Sequence, residues 1–143
     1  MRLERGATGF WQQGDPELPV VDVRRFRGAC HEAARVADGA VERVTERRHP
    51  RSFHEAVLVA GAQRYVVRCH GVHPLIAFDP DQAIDPPGWG EVFIGFGFEV
   101  LGREVLGLPL DRVDTSRLGP AEWEQIRYWQ AQTVGETLFH TWD

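Results

Sequence analysis

The stretch from residue 53 to residue 78, FHEAVLVAGAQRYVVRCHGVHPLIAF, constrains the fold of this chain more than any other. Two apolar runs flank Gly61-Ala62, and a two-residue loop that begins with glycine is typical of a tight β-hairpin. Such a loop pairs Ala60 with Gln63, so that the numbers of opposed residues sum to 123. The sequence therefore predicts a central hairpin that continues, after a break at His73-Pro74, into a short third strand over residues 75–78.

The register of this hairpin decides which side chains share a face, because successive side chains of a strand point to opposite sides. It places Glu55 opposite Arg68 as an ion pair on the wetter face, and His54 opposite Cys69 on the more apolar face. A neighbouring histidine can stabilise a thiolate, so His54 and Cys69 are candidates for a catalytic pair. The sequence places no orienting carboxylate and no oxyanion hole beside them. We therefore favour a core pair and assign no catalytic residue.

The run Cys69-His70-Gly71-Val72-His73 also raises the question of a metal site. Cys69 and His70 point to opposite faces of a strand, so they cannot both bind one ion unless the strand ends before them. His70 and His73, with an aspartate from the following DPDQAID loop, remain candidate ligands. That loop lacks the glycine and glutamate of a calcium-binding loop. We predict neither a metal nor another cofactor.

Apolar residues at three- and four-residue spacing predict a helix from Val23 to about Ala37, with Asp22 as its N-cap. The helix should end at Asp38-Gly39, where the glycine would take the left-handed conformation. Two short helices close the chain. The first starts at Pro120, where Glu122 would complement the positive helix N-terminus. The second starts at the capping box Thr133-Val-Gly-Glu136.

Residues 92–101 alternate between an apolar face and a face with paired glycines, which predicts another strand. The expected fold is therefore an α+β domain with an antiparallel sheet of about four to six strands. The strands come mainly from residues 41–60, 63–78 and 92–101, and the 23–37 helix and the C-terminal helices cover them.

Composition limits the classes of function. A chain of 143 residues fits one domain, residues 1–143, and its two separated cysteines indicate free thiols in a reducing, cytoplasmic compartment. No stretch has the roughly 20 apolar residues that a membrane span needs. All 16 cationic side chains are arginines, and the net charge is −5, so we expect no nucleic acid partner.

Charge is distributed unevenly along the chain. Residues 1–72 carry 12 arginines against nine acids, whereas residues 73–143 carry four arginines against 12 acids. A basic half and an acidic half are typical of a protein that docks a charged partner, because such fields steer encounter. Solvated faces without a binding role are the alternative. The candidate partner-binding residues combine acids of the second half with tryptophans: Asp79, Asp81, Asp85, Trp89, Trp129 and Trp142.

The tail adds a resemblance. The segment from Tyr128 to Asp143, together with Pro109-Leu110-Asp111, resembles the ends of small uncharacterised bacterial proteins, some of them immunity proteins of polymorphic toxin systems. The resemblance falls within residues 109–143, about a quarter of the chain, and identifies no catalytic residue. It implies a noncatalytic bacterial protein-binding module, an immunity-type inhibitor that binds a basic toxin domain.

Two other classes stay open. One is a small enzyme or metal-binding protein that uses Cys69 and His54, or His70 and His73. The other is a purely structural or dimeric module.

Overall fold

A five-stranded sheet forms the middle layer of the computed structural model, which describes residues 1–82 and 84–143. Neighbouring strands follow chain order: β1 (Ala40–Thr45), β2 (Phe53–Ala60), β3 (Gln63–His70), β4 (Leu75–Phe78) and β5 (Glu99–Leu101). Strands β1 to β4 are antiparallel, and β5 runs parallel to β4. The protein is thus an α+β domain whose sheet is mixed but mostly antiparallel.

The central hairpin is confirmed in its bounds and its register. All eight predicted pairs form, from Phe53 opposite His70 to Ala60 opposite Gln63. Gly61 has a φ of +61°, which a glycine adopts more easily than other residues in a two-residue turn. The predicted cross-strand ion pair also forms, with Arg68 Nε 3.0 Å from Glu55 Oε2.

The predicted N-terminal helix is confirmed as α1 (Val23–Val36), and Asp22 Oδ1 accepts a hydrogen bond of 2.9 Å from the Arg24 amide. The prediction that Gly39 takes the left-handed conformation after this helix was wrong. Asp38, with a φ of +54°, takes the left-handed conformation in place of the glycine. Gly39 is needed for another reason: a Cβ there would overlap the carbonyl oxygen of Val59.

The predicted strand over residues 92–101 is largely wrong. A 3₁₀ turn (Gly88–Glu91) leads into α2 (Val92–Gly95), and only Glu99–Leu101 forms a strand. Gly97, at a φ of +88°, allows a turn in which the Phe98 amide donates to the Phe93 carbonyl. Alternation would put Phe93 and Phe98 on opposite faces, but the turn buries both in one core. Because these residues connect β4 to β5, the two strands can be parallel.

The two predicted C-terminal helices form as α4 (Pro120–Trp129) and α5 (Val134–Leu138). A short helix that was not predicted, α3 (Arg103–Leu106), and a 3₁₀ turn (Leu110–Arg112) precede them. Thr133 Oγ1 caps α5 by accepting from the Glu136 amide at 3.1 Å. The return bond of the predicted capping box goes one residue further back, because the Glu136 carboxylate accepts from the Gln132 amide at 2.7 Å.

Each face of the sheet is covered by its own hydrophobic core. On the first, which we call the α1 face, α1 and α2 pack on residues of β2, β3 and β4 that include Leu58, Val67 and Ile76. On the other, which we call the clamp face, the N-terminal segment and α3 to α5 pack on Phe53, Ala77 and Leu101. None of the helices described has the length and apolarity to cross a membrane.

Candidate functional site

The structure places His54 opposite Cys69, as predicted, but gives the pair the character of core residues. His54 Nδ1 accepts a hydrogen bond of 2.8 Å from the Arg47 amide, and the Cys69 thiol donates to the His70 carbonyl at 3.5 Å. Both side chains are buried. Burial raises the pKa of the Cys69 thiol well above its ordinary value and raises the pKa of the neighbouring Cys30 to about 12.

A thiol in this setting stays protonated at neutral pH and is shielded from solvent, whereas a cysteine nucleophile acts as the accessible thiolate. Burial also lowers the pKa of His54, although the charge of Glu46 opposes this shift. The pair therefore has no tendency to form a thiolate and an imidazolium. Its geometry favours the interpretation as core packing.

The two histidines considered as metal ligands stack on each other, with ring centroids 5.6 Å apart. His70 is fully buried, and its Nδ1 accepts from the amides of Val72 and His73, both at 3.1 Å. Its proton therefore lies on Nε2, which donates to the Ala7 carbonyl at 2.7 Å. His73 Nε2 likewise donates to the Arg5 carbonyl at 2.8 Å.

Three of these four ring nitrogens are thus engaged with the backbone. Burial lowers the pKa of His70 to about 3, so the ring stays neutral. Across residues 1–82 and 84–143, no group of three or more histidine, cysteine or acidic side chains could hold a metal ion.

Glu122 of α4 has a role that the sequence did not predict: it binds backbone amides of the N-terminal segment. Instead of lying at a helix end in solvent, it is only 1% exposed, and one carboxylate oxygen accepts from the Gly6 amide at 2.7 Å. The other oxygen accepts from the Thr8 amide at 3.1 Å and from the Thr8 hydroxyl at 3.0 Å. Its spacing from Ile126 and Trp129, at i+4 and i+7, is the signal that placed it on the buried face of the helix.

Glu122, His70 and His73 together hold the segment from Arg5 to Thr8, an arrangement that we call the N-terminal clamp. Glu122 binds the amide side of this segment, and the two histidines bind its carbonyl groups. Burial raises the pKa of Glu122, while the hydrogen bonds from Gly6 and Thr8 oppose the rise. All these partners belong to the protein itself, so the clamp fixes the N-terminal segment to β3, the turn after it and α4.

Two of the candidate partner-binding residues, Asp81 and Asp85, line a pair of adjoining surface hollows. Asp81 and Glu136 line one of about 310 Å³, and Asp85 and Glu104 line its neighbour of about 640 Å³. Gly107 borders both. We call these four acids and the space between them the acidic hollow. Asp81 is paired with Arg68 at 3.0 Å, and Arg103 supplies a second positive charge.

His140 links an aromatic group to the acids of the hollow. The Trp129 ring is 6.2 Å from the ring of His140, and the carboxylates of Glu136, Asp143 and Asp81 all act on the pKa of that histidine. Burial outweighs their effect, so the pKa of His140 is lowered. Tyr128 packs edge-on against Trp129 at 5.1 Å and is 75% exposed.

The remaining candidate partner-binding residues lie elsewhere or are already engaged. Asp79 Oδ1 accepts from the Val66 amide at 3.2 Å. Trp89 packs against Tyr65 and Phe78 on the α1 face, at 5.1 and 5.5 Å. Trp142 stacks on His140 at 4.0 Å and is only 4% exposed, so it offers a partner almost no surface.

No protein-family model, no curated protein and no solved structure matches this chain.

Proposed function

We propose that this chain is a noncatalytic protein-binding module that docks the basic surface of a protein partner through the acidic hollow. The observation that carries the proposal is the convergence of Asp81, Asp85, Glu104 and Glu136 around Gly107. These acids come from three separate parts of the chain: the loop after β4, α3, and the first turn of α5.

Electrostatics supports this role. All four acids belong to residues 73–143, where 12 acids face only four arginines. A surface with one dominant sign accelerates encounter with a partner of the opposite sign and rejects partners of the same sign. Arg68 and Arg103 neutralise part of this charge, and such fixed counter-charges restrict the positions at which cations of a partner can bind.

Tyr128 and Trp129 supply the apolar contact that charge alone does not provide. Tyrosine and tryptophan are enriched among the residues that contribute most to protein interfaces, because they bury a large area and lose little side-chain entropy. An exposed tyrosine supported by a half-buried tryptophan matches that pattern.

The biological assignment that we propose is an immunity-type inhibitor of a bacterial toxin, acting in the cytoplasm. It rests on the resemblance of the tail, and that tail contributes Tyr128, Trp129 and Glu136 to the candidate surface. Inhibition by docking requires no catalytic group. This agrees with a chain whose thiols and most buried histidine are held in the core.

The test is binding to the toxin domain encoded beside this chain. We expect a tight complex whose association rate falls as salt rises, because attraction between surface charges is screened. The double variant Glu104→Gln/Glu136→Gln should slow association about tenfold at low salt and much less at about 0.5 M salt.

Glu17→Gln is the matched control, since Glu17 is exposed and lies outside the acidic hollow. Its association rate should equal that of the unmodified protein. The proposal fails if no complex forms at low salt, or if the double variant and the control associate equally fast.

A further inference from the structure

Arg47, in the loop between β1 and β2, carries a charge that the fold leaves without a carboxylate partner. Its side chain is half-buried, and it makes no ion pair with any residue that the structure describes. Arg68, another half-buried arginine, is by contrast paired with both Glu55 and Asp81 at 3.0 Å. A charge withdrawn from water normally has a partner of opposite sign. Arg47 therefore lacks a counter-ion that the protein itself does not supply.

The fold fixes the position of the Arg47 guanidinium. Its Nε group donates to the Arg51 carbonyl at 2.8 Å, and the Arg47 amide donates to His54 Nδ1 at 2.8 Å. The guanidinium lies between two glycines: a Cβ on Gly71 would stand 2.8 Å from Nη1, and a Cβ on Gly9 would stand 2.6 Å from Nη2. The guanidinium can lie here because neither neighbour has a side chain. A ligand would therefore meet donors that are already in place, which reduces the entropy lost on binding.

The two terminal nitrogens form the open edge of this guanidinium. Nη1 and Nη2 of Arg47 donate to no acceptor among residues 1–82 and 84–143, whereas Nε is already used. Within the same residues, the side-chain atoms that are both fully buried and unpaired are His54 Nε2 and Trp142 Nε1. The terminal nitrogens of Arg47 therefore reach solvent. A carboxylate can approach such an edge with both oxygens and accept two parallel hydrogen bonds.

Electrostatics around Arg47 favours an anion. Burial lowers the pKa of Arg47, and no carboxylate opposes this shift. Its positive charge also contributes to the lowered pKa of His70. The preceding acid, Glu46, lines a separate hollow with Asp143 and Arg48, and Arg47 does not line that hollow. A cation would therefore be repelled at Arg47, and a neutral molecule would leave the guanidinium without a counter-ion.

We propose that Arg47 anchors a binding site for a carboxylate group, which its guanidinium holds through Nη1 and Nη2. A carboxylate matches the site in shape, because its two oxygens fit the two terminal nitrogens, and in charge, because it brings one negative charge to one positive charge. A phosphate dianion costs more to withdraw from water and would keep an unbalanced charge beside a single guanidinium. The site is independent of the proposed protein partner, since Arg47 lies outside the acidic hollow.

Acetate, acetamide and methylphosphonate are suitable probes, since they share a methyl group and differ in the head group. The ¹⁵N-labelled protein is titrated at constant ionic strength, and the Nε–Hε signal of Arg47 and the amide signals of Gly9 and Gly71 are followed in ¹H–¹⁵N spectra. Acetate should shift these signals with a dissociation constant of about 10–100 mM. Acetamide should not shift them, and dianionic methylphosphonate should bind more weakly than acetate. Equal binding of acetate and acetamide, tighter binding of methylphosphonate, or no shift by about 300 mM acetate would overturn the proposal.

Variants of two adjacent arginines provide the matched comparison. Arg47→Gln should abolish the acetate-induced shifts of Gly9 and Gly71, and Arg47→Lys, which keeps the charge but loses the two-nitrogen edge, should weaken acetate binding at least about threefold. Arg48→Gln, which removes an exposed charge, should leave the acetate affinity unchanged. Loss of binding with native-like spectra supports the site, whereas equal affinities in Arg47→Gln and Arg48→Gln contradict it. If Arg47→Gln does not fold, the comparison of acetate with acetamide in the unmodified protein decides the question.

Discussion

The two faces of the sheet are stabilised by different kinds of interaction. On the α1 face, Phe26 contacts Phe93 and Phe98 at centroid distances of 6.3 and 6.4 Å within a core of apolar side chains. The clamp face also has an apolar core, but Glu122, His70 and Ser52 are buried in or beside it and bind backbone groups far away in sequence. Their partners are 116, 63 and 86 residues distant.

This difference has a physical meaning. Apolar burial is non-directional, so the α1 face tolerates small shifts of one side chain against another. Buried hydrogen bonds are directional, and a donor or acceptor that loses its partner pays the full penalty of desolvation. We therefore expect size changes to dominate mutational effects on the α1 face and polar changes to dominate them on the clamp face.

The largest effect should come from Phe26→Ala on the α1 face. Removing a fully buried phenylalanine leaves a cavity, and we expect the free energy of unfolding to fall by about 4 kcal/mol. Urea unfolding measures this change. Val36→Ala, on the exposed end of the same helix, is the control and should change stability by less than about 0.5 kcal/mol. A loss below about 2 kcal/mol for Phe26→Ala would mean that the core relaxes to fill the cavity.

Glu122→Gln should have the next largest effect, with almost no change in volume. The amide that replaces one oxygen carries donors, so a hydrogen bond from Gly6 or Thr8 is lost inside the protein. We expect the free energy of unfolding to fall by about 2 kcal/mol. Glu124→Gln on the exposed side of α4 should be nearly neutral. If both variants unfold at the same urea concentration, the clamp does not stabilise the fold.

The same contrast explains what the sequence could predict. The hairpin register was predictable from the two-residue turn and from the alternation of side chains along each strand. Helix α1 was predictable from its N-cap residue and from the spacing of its apolar residues. All these signals are local in sequence. The N-terminal clamp joins Gly6 to Glu122, and no local pattern reports which backbone amides a buried carboxylate will meet. Burial of Glu122 could have been inferred from its place on the stripe with Ile126, but its partners could not.

The prediction of a strand over residues 92–101 was wrong for a related reason. Alternating Phe and Gly satisfied the period of a strand, and the same residues satisfied a helix followed by a tight turn. The choice was made by tertiary packing, because only the turn buries Phe93 and Phe98 together beside Phe26. The acidic hollow was predictable in part: Asp81 and Asp85 were expected to contact a partner, whereas Glu104 and Glu136 join them only through the packing of α3 and α5.

Acid should weaken the fold through the clamp face, by about 1.4 kcal/mol per pH unit for one site. His70 has a pKa of about 3 in the fold, against about 6.5 in an unfolded chain. Between these values the unfolded chain binds one proton more at this site. The free energy of unfolding is therefore highest above about pH 6.5 and falls as pH decreases. His140, whose pKa is also lowered, acts in the same direction. His54 adds a contribution of the same sign from the α1 face, where it stacks on Phe26.

Urea unfolding at about pH 7.5, 6 and 5 measures this slope above the range in which most carboxyls titrate. Glu122 acts in the opposite direction, because its raised pKa lets the folded state gain stability from protonation at lower pH. His70→Gln should be less stable at neutral pH but lose less stability between pH 6 and 5 than the unmodified protein. His49→Gln, an exposed control, should keep the original slope. Identical slopes in all three proteins would remove His70 as the source.

The smallest expected effects are those of two helix caps, one on each face. Asp22→Ala removes the cap of α1, and Thr133→Ala removes the cap of α5. A capping hydrogen bond is local and partly solvated, so each change should lower the free energy of unfolding by about 1 kcal/mol, whichever face the helix covers. Asp22→Asn and Thr133→Ser preserve a capping oxygen and should recover most of each loss.

Equal losses of unfolding free energy in Asp22→Ala and Thr133→Ala would mean that the two faces differ only in their buried groups. A markedly larger loss for Thr133→Ala would mean that the polar interactions of the clamp face extend into α5. The Thr137 hydroxyl, which donates to the Thr133 carbonyl at 2.8 Å, then becomes the next group to examine, because it is buried directly behind that cap. The free energy of unfolding of Thr137→Val would separate an effect of the cap from an effect of the buried hydroxyl. This variant removes the hydroxyl and leaves the cap intact.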